Sequence, residues 1–227
     1  MTDTQWSDVD RYLSDLFIGP DVALDGALDA SIAAGLPAIA VAPNQGKLLH
    51  LLARLMNARA ILEIGTLGGY STIWLARALA SGGRVITLEL DPKHAAVATD
   101  NIARAGLAGA VDVRVGAALD TLPQIERDGA GPFDLVFIDA DKQSIPDYFQ
   151  WALKLSRRGT LIIVDNVIRK GAIVDAASTD PNVQGVRRFN EMVARETRVT
   201  ATTIQTVGSK GYDGLAFVLV TGDVKGR

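Results

Sequence analysis

The chain has 227 residues, 48% hydrophobic and 22% charged, an ordinary composition and ample length for a soluble globular core. A net charge of −3 and the lack of any cysteine argue against a basic field for nucleic-acid phosphates and remove disulfides, thiolate nucleophiles and Cys-based zinc sites. With two histidines only, His50 and His94, a multi-histidine metal centre is disfavoured and a Ser-His-Asp triad has few candidates.

The first eight residues are polar and acidic, the opposite of a secretory leader. The longest apolar runs, such as residues 36–43, fall short of the roughly 20 residues that a membrane helix needs. The expectation is a soluble, cytoplasmic protein with neither membrane nor nucleic acid as partner. Trp6, Val9, Leu13, Leu16 and Phe17 recur at helical spacing and predict an amphipathic first helix. Helical stretches follow at 21–34 and 45–56, the second set off by Pro43-Asn44. His50, inside an apolar run, reads as a packed and hydrogen-bonded histidine. His94 follows Asp91-Pro92-Lys93, a helix-start signal, and reads as a surface residue.

From residue 60 the pattern changes. Short aliphatic runs at 60–64, 84–88, 111–115, 135–138 and 160–164 predict strands, with helical stretches at 72–80, 92–105, 118–127 and 145–155 between them. Such alternation implies a mainly parallel sheet covered on both faces. After a helix at 183–197, strands at 199–205 and 215–220 are joined by the loop 208–214, short enough for a hairpin with an antiparallel last strand. No linker or repeat divides the chain, so it reads as one domain: a helical extension, 1–56, before a core of 57–227.

In an open α/β sheet, ligands bind beyond the carboxyl ends of the strands. The first strand runs into Gly65-Thr66-Leu67-Gly68-Gly69-Tyr70-Ser71, a turn that either serves tight geometry alone or lets backbone approach a ligand. It lacks the Gly-Lys-Ser/Thr of a phosphate loop and the Gly-x-Gly-x-x-Gly dinucleotide pattern. Glu63 is an acid in an apolar strand end; it is either paired with a neighbouring backbone or basic group, or awaits a cationic or amine-bearing ligand. At the end of the second strand, Asp91 before Pro92 reads as a helix cap, leaving Glu89 as the ribose ligand.

The fourth strand ends at Asp139-Ala140-Asp141-Lys142 and the fifth at Asp165-Asn166. These strands should be neighbours, which sets Asp139 beside Asp165. Two close carboxylates repel unless a cation lies between them, and the Asn166 amide adds a third hard oxygen, a set that suits Mg²⁺ better than zinc or copper. Both acids could instead cap helices or turns. Lys142 is either a solvated lysine or, beside a bound cation that disfavours its charged form, a base for a phenolic proton.

Taken together, Leu62-Glu63-Ile64-Gly65-Thr66, Gly69-Tyr70-Ser71, Glu89, Gly116-Ala117-Ala118-Leu119, Phe137-Ile138-Asp139-Ala140-Asp141-Lys142 and Asp165-Asn166-Val167 resemble the cation-dependent class I O-methyltransferases, the group of catechol and caffeoyl-coenzyme A O-methyltransferases. The late segment 208–214 is similar to the bacterial branch, and the likeness runs from about Pro43 onward. The resemblance implies a Rossmann-like class I methyltransferase fold with seven strands. It implies S-adenosylmethionine as methyl donor, Mg²⁺ (or Mn²⁺ or Ca²⁺) as cation, a small phenolic acceptor and a homodimer. By position it implies Glu63, Gly65, Thr66 and Ser71 at the methionine portion, Glu89 at the ribose and Ala118 near the adenine. Asp139, Asp165 and Asn166 would bind the metal, Asp139 also near the donor's amine, and Lys142 would be the catalytic base. The segment 169–179 and the N-terminal helices match no specificity that can be assigned. The alternatives are a nicotinamide-dependent oxidoreductase, an α/β hydrolase hinted at by Gly69-Tyr70-Ser71, and a catalytically silent cofactor-binding module.

Overall fold

The computed structural model describes residues 3–223; Met1 and Thr2, which open the polar N-terminal stretch, lie outside the described residues. Three helices, α1 (Asp3–Phe17), α2 (Val22–Ala33) and α3 (Pro43–Leu55), precede the first strand. Strand and helix then alternate through β1 (Ala60–Ile64), α4 (Tyr70–Ala78), β2 (Arg84–Glu89), α5 (Pro92–Arg104), β3 (Val111–Val115), α6 (Ala118–Arg127), β4 (Phe133–Ile138), α7 (Ile145–Lys154) and β5 (Ser156–Asp165). The chain closes with α8 (Pro181–Arg195), β6 (Val199–Gly208) and β7 (Gly211–Val220). The seven strands form one sheet of order β3-β2-β1-β4-β5-β7-β6, parallel except for β7, which pairs antiparallel with both β5 and β6.

Alternation along the strands divides the core in two. Leu62, Ile64, Val136, Ile138, Ile162 and Val164 face α6, α7 and α8. Ile61, Val85, Leu135, Phe137 and Ile163 face α2 to α5. Each fully buried side chain of this kind stabilises the fold by roughly 2 kcal/mol. Helix starts follow local chemistry: Asp21, Asp91 and Asp180 accept hydrogen bonds from the first turns of α2, α5 and α8, and Pro92 and Pro181 sit where no amide is needed.

Two expectations change in detail. The loop at 208–214 is a two-residue turn, because the strand ladder extends to Val207↔Tyr212 and Gly208↔Gly211. The amphipathic face of α1 is also not fully covered: Val9, Tyr12, Leu16 and Phe17 are each more than half exposed. The helix is tied down by polar contacts instead. Asp10 Oδ2 accepts from the Ser209 amide at 2.7 Å, and Asp10 Oδ1 from Asn44 Nδ2 at 3.3 Å. Among the described residues no helix is long and apolar enough to cross a membrane.

The register of the parallel strands places the site. Ile64 pairs with Leu88 on β2 and with Ile138 on β4, and Ile138 pairs with Val164 on β5. One residue further on, Glu89, Gly65, Asp139 and Asp165 fall in a row across four strands, a span of about 14 Å. Gly65 has φ 101°, and a Cβ there would overlap the carbonyl oxygen of Asp139 and stand 2.8 Å from its carbonyl carbon. Its glycine identity therefore answers to the crossing of β1 and β4 as well as to any ligand. Gly65→Ala should destabilise the protein by about 3 kcal/mol, read by urea unfolding; a wild-type midpoint would show that the row tolerates displacement.

Candidate active site

Behind the Gly-rich turn lies a hydroxyl network around Glu63, which is completely buried. Ser71 donates to Glu63 Oε1 at 2.6 Å, and Thr87 to Oε2 at 2.7 Å, with Thr72 also donating to Oε2. Thr66 and Thr87 hydroxyls are 2.6 Å apart. With Glu63 ionised, the Thr87 proton goes to Glu63 and Thr66 donates to Thr87, so that the chain of hydroxyls points inward. Ser71 has likewise spent its single proton, so its oxygen faces outward as an acceptor. Burial pushes Glu63 up to about 7 against hydroxyl bonds that favour its charged form, with Asp139 adding repulsion.

The turn itself is held by Glu89, whose Oε2 accepts from the amides of Thr66 at 3.1 Å and Leu67 at 2.7 Å and whose Oε1 accepts from Asp91 at 3.0 Å. In front of it opens a cavity of about 670 Å³, within the range of small-molecule sites. Gly65, Thr66, Ser71, Glu89 and Ala118 are on its wall, and so are Asp139, Lys142 and Asn166. Glu63 and Asp165 are not: both are buried behind it, Glu63 meeting the wall through Ser71 and Asp165 through its neighbour Asn166. His94, read from the sequence as a surface residue, also lines the cavity, with Nδ1 3.6 Å from Glu89 Oε1. The turn of α5 after its Asp91 cap brings it there. His50 is packed as expected, Nδ1 lying 3.2 Å from the Trp74 carbonyl oxygen.

At the opposite end of the row, Lys142 Nζ donates to Asp139 Oδ1 at 2.8 Å. Lys142 belongs to a short 3-10 turn, Lys142–Ser144, and its side chain is largely buried. Asp165 is buried next to Asn166, whose backbone amide and Nδ2 donate to Asp165 Oδ1 at 2.6 and 3.2 Å. Burial and the neighbouring Asp139 charge push Asp165 up to about 7, opposed by Lys142 and by a hydrogen bond from Gln45. Asn166 adopts a left-handed φ of 58°, a conformation that asparagine tolerates better than most residues. Because Nδ2 is turned to Asp165, its amide oxygen is left for another partner. Among the described residues no cluster of three or more His, Cys, Asp and Glu side chains can hold a metal. The set available is two carboxylates and one amide, all hard oxygens, which suits a small divalent cation completed by other oxygens.

Three participants are absent from the sequence reading. Gln45 on α3 donates Nε2 to Asp165 Oδ2 at 2.6 Å, a contact across 120 residues that no local pattern announces. Tyr148 donates its hydroxyl to Asp141 Oδ1, and both line the cavity; the spacing of seven on a turn-plus-helix is the only sequence signal for that pair. Val41, from the segment between α2 and α3, closes part of the wall.

The sheet order, the Gly-rich turn pinned by an acid at the end of β2, and the cavity between them define a class I methyltransferase fold. The O-methyltransferase family model matches residues 24–219. A catechol O-methyltransferase from Niastella koreensis is 58% identical over 97% of this chain and 100% of its own length. One from Mycobacterium tuberculosis is 56% identical over 94% and 95%. Among solved structures, the Bacillus cereus O-methyltransferase in complex with SAH superposes with a TM-score of 0.96 at 58% identity, covering 97% of this chain and 100% of that one. The O-methyltransferase TomG from Streptomyces achromogenes, involved in tomaymycin synthesis and solved with SAM, gives 0.95 at 55% identity over 98% and 100%. The chain belongs to the O-methyltransferase family, as a class I S-adenosylmethionine-dependent O-methyltransferase of the catechol and caffeoyl-coenzyme A type. The nicotinamide, hydrolase and silent-module readings give way to that membership.

The Glu63 network makes a pH prediction. The folded protein keeps a proton on Glu63 up to about pH 7, whereas its ordinary value is 4.5, so its contribution is full below the ordinary value and is lost as pH rises through 7. The amount is on the order of 3 kcal/mol. Asp165 adds a share of the same sign in the cation-free protein. Urea unfolding of Glu63→Gln from about pH 5 to about pH 8 should give a flatter stability curve than wild type; parallel curves would remove Glu63 as a source.

Proposed function

We propose that the protein is a divalent-cation-dependent O-methyltransferase that transfers methyl from S-adenosylmethionine to one hydroxyl of a catechol or another vicinal-diol phenol. The observation that carries this reading is that Lys142, Asp139 and Asn166 line the same cavity as Gly65, Thr66, Ser71, Glu89 and Ala118. Ser71, held as an acceptor by Glu63, suits the donor's ammonium, with Gly65, Thr66 and Asp139 beside the methionine portion. Glu89 offers carboxylate oxygens to a ribose, and Ala118 leaves room for the adenine.

Asp139, Asp165 and Asn166 fit a magnesium ion, or manganese or calcium. Such an ion supplies the positive charge that orients a vicinal diol and acidifies one of its hydroxyls. Lys142 takes that hydroxyl's proton at Nζ, and Asp139 Oδ1 fixes the direction of its approach. The transfer exchanges a sulfur–carbon bond for an oxygen–carbon bond, leaving S-adenosylhomocysteine and a methyl ether. The protein's part is orientation and charge. Asp139→Ala and Asp165→Ala should each lower kcat by about 100-fold or more, and EDTA should abolish turnover of catechol until Mg²⁺ is restored. Full activity in EDTA, or turnover of phenol equal to that of catechol, would overturn the cation and the diol respectively.

The reading extends to a single methyltransferase domain working as a homodimer in the cytoplasm. Support for the dimer is an apolar strip on α1 (Val9, Tyr12, Leu16 and Phe17) together with the open edge of β6, where Ile204 and Val207 are 54% and 53% exposed. Contiguous apolar surface and an unpaired strand edge both favour association. In analytical ultracentrifugation the wild type should sediment as a dimer and Leu16→Glu/Phe17→Glu as a folded monomer; identical sedimentation would move the interface elsewhere.

A further inference from the structure

Gly185 is buried in the interior of α8, against the backbone of the 3-10 turn that carries Lys142. Glycine is the poorest helix former after proline, so its presence in mid-helix answers to some other demand. Its φ is not in the left-handed region, which leaves room as the demand. A Cβ at this position would overlap the carbonyl oxygen of Lys142 and stand 2.8 Å from Gln143 Cα and 2.9 Å from the Lys142 carbonyl carbon. All of these are backbone atoms, which cannot swing aside as the tip of a side chain can.

The turn is otherwise well fixed. Arg188, one turn further along α8, donates Nη2 to the Gln143 carbonyl at 3.3 Å. Asp141 caps it, Oδ2 accepting from the Ser144 amide at 3.1 Å and Oδ1 from the Tyr148 hydroxyl. Where α8 seats this backbone therefore decides how far the Lys142 side chain, 11% exposed, reaches toward Asp139 Oδ1 at 2.8 Å.

We infer that Gly185 is a positioning residue for Lys142: lacking a Cβ, it lets α8 seat the 3-10 turn at the depth where Nζ meets Asp139 and the acceptor hydroxyl. The inference rests on the assignment of Lys142 as base. It also makes α8, which contributes no residue to the cavity wall, part of the apparatus that orients the proton transfer.

Gly185→Ala tests it because two effects oppose each other: better helix propensity raises stability, and the backbone collision lowers it and moves the turn. Acetic anhydride labelling of the protein without donor or acceptor, read by peptide mass spectrometry, should show Lys142 modified several times faster than in wild type, with Lys154 unchanged as the internal reference. The kcat should fall about 100-fold, while calorimetric affinity for S-adenosylhomocysteine stays at the wild-type level. Equal or higher thermal stability with unchanged Lys142 labelling and unchanged kcat would overturn the inference. Lys142→Met is measured alongside: if it retains turnover, the base assignment fails, while the labelling still reports where Lys142 sits. Should Gly185→Ala not fold, Arg188→Ala carries the test from the exposed side of α8; faster labelling of Lys142 supports the positioning role and an unchanged rate overturns it.

Discussion

In-register pairing of β2, β1, β4 and β5 is the constraint on which the remaining features depend. Parallel strands in one register end at one level, so a single row across the sheet contains Glu89, Gly65, Asp139 and Asp165. Their spacing follows from the distance between strands rather than from any loop. A site written on such a row has its length set by backbone hydrogen bonds, which are the least deformable part of the fold. The loops then need only tune it. Glu89 gathers the Gly-rich turn through two amides, and Asn166 folds back on Asp165 through its own amide groups.

The same strand ends bring negative charge together, and their surroundings divide the load. At the inner position, Glu63 is surrounded by hydroxyls and kept away from the cavity. At the outer position, Asp165 is buried against Asp139, with Lys142 and Gln45 as partial compensation. Neither arrangement is the one that would stabilise the chain best by itself, since apolar side chains at either point would remove a desolvation cost. Strain of this electrostatic kind, concentrated at strand ends that face one cavity, is what a functional site leaves in a stability balance.

Much of this could be read from the sequence because the signals are local. The strands at 60–64 and 111–115 and the helix at 118–127 were expected with the bounds observed, since aliphatic runs and caps are short-range features. The adjacency of Asp139 and Asp165 followed from topology alone. What escaped was long-range or subtle. Gln45 meets Asp165 from a helix whose sequence gives no reason for the contact, and Gly185 looks like an unfavourable helix residue until the backbone beneath it is seen. His94 was misplaced because the polar residues around it suggest solvent, whereas the entry angle of α5 turns it toward Glu89. The apolar positions of α1 obeyed helical spacing, yet periodicity cannot say whether an apolar face meets its own chain or something else.

The position of β7 has a consequence for how the protein is made. This strand lies between β5 and β6, and it closes the edge next to Asp165: the Val167 amide donates to Gly214, and Asp213 accepts from the amides of Ile168 and Arg169. During synthesis β5 emerges long before β7, so for the intervening fifty or so residues it is the border of an incomplete sheet. The acidic end of the row can take shape only when the last strand slots in antiparallel beside it. The other end, built from β1 and β2 and the turn after β1, has no such dependence, and a nascent chain can complete it first.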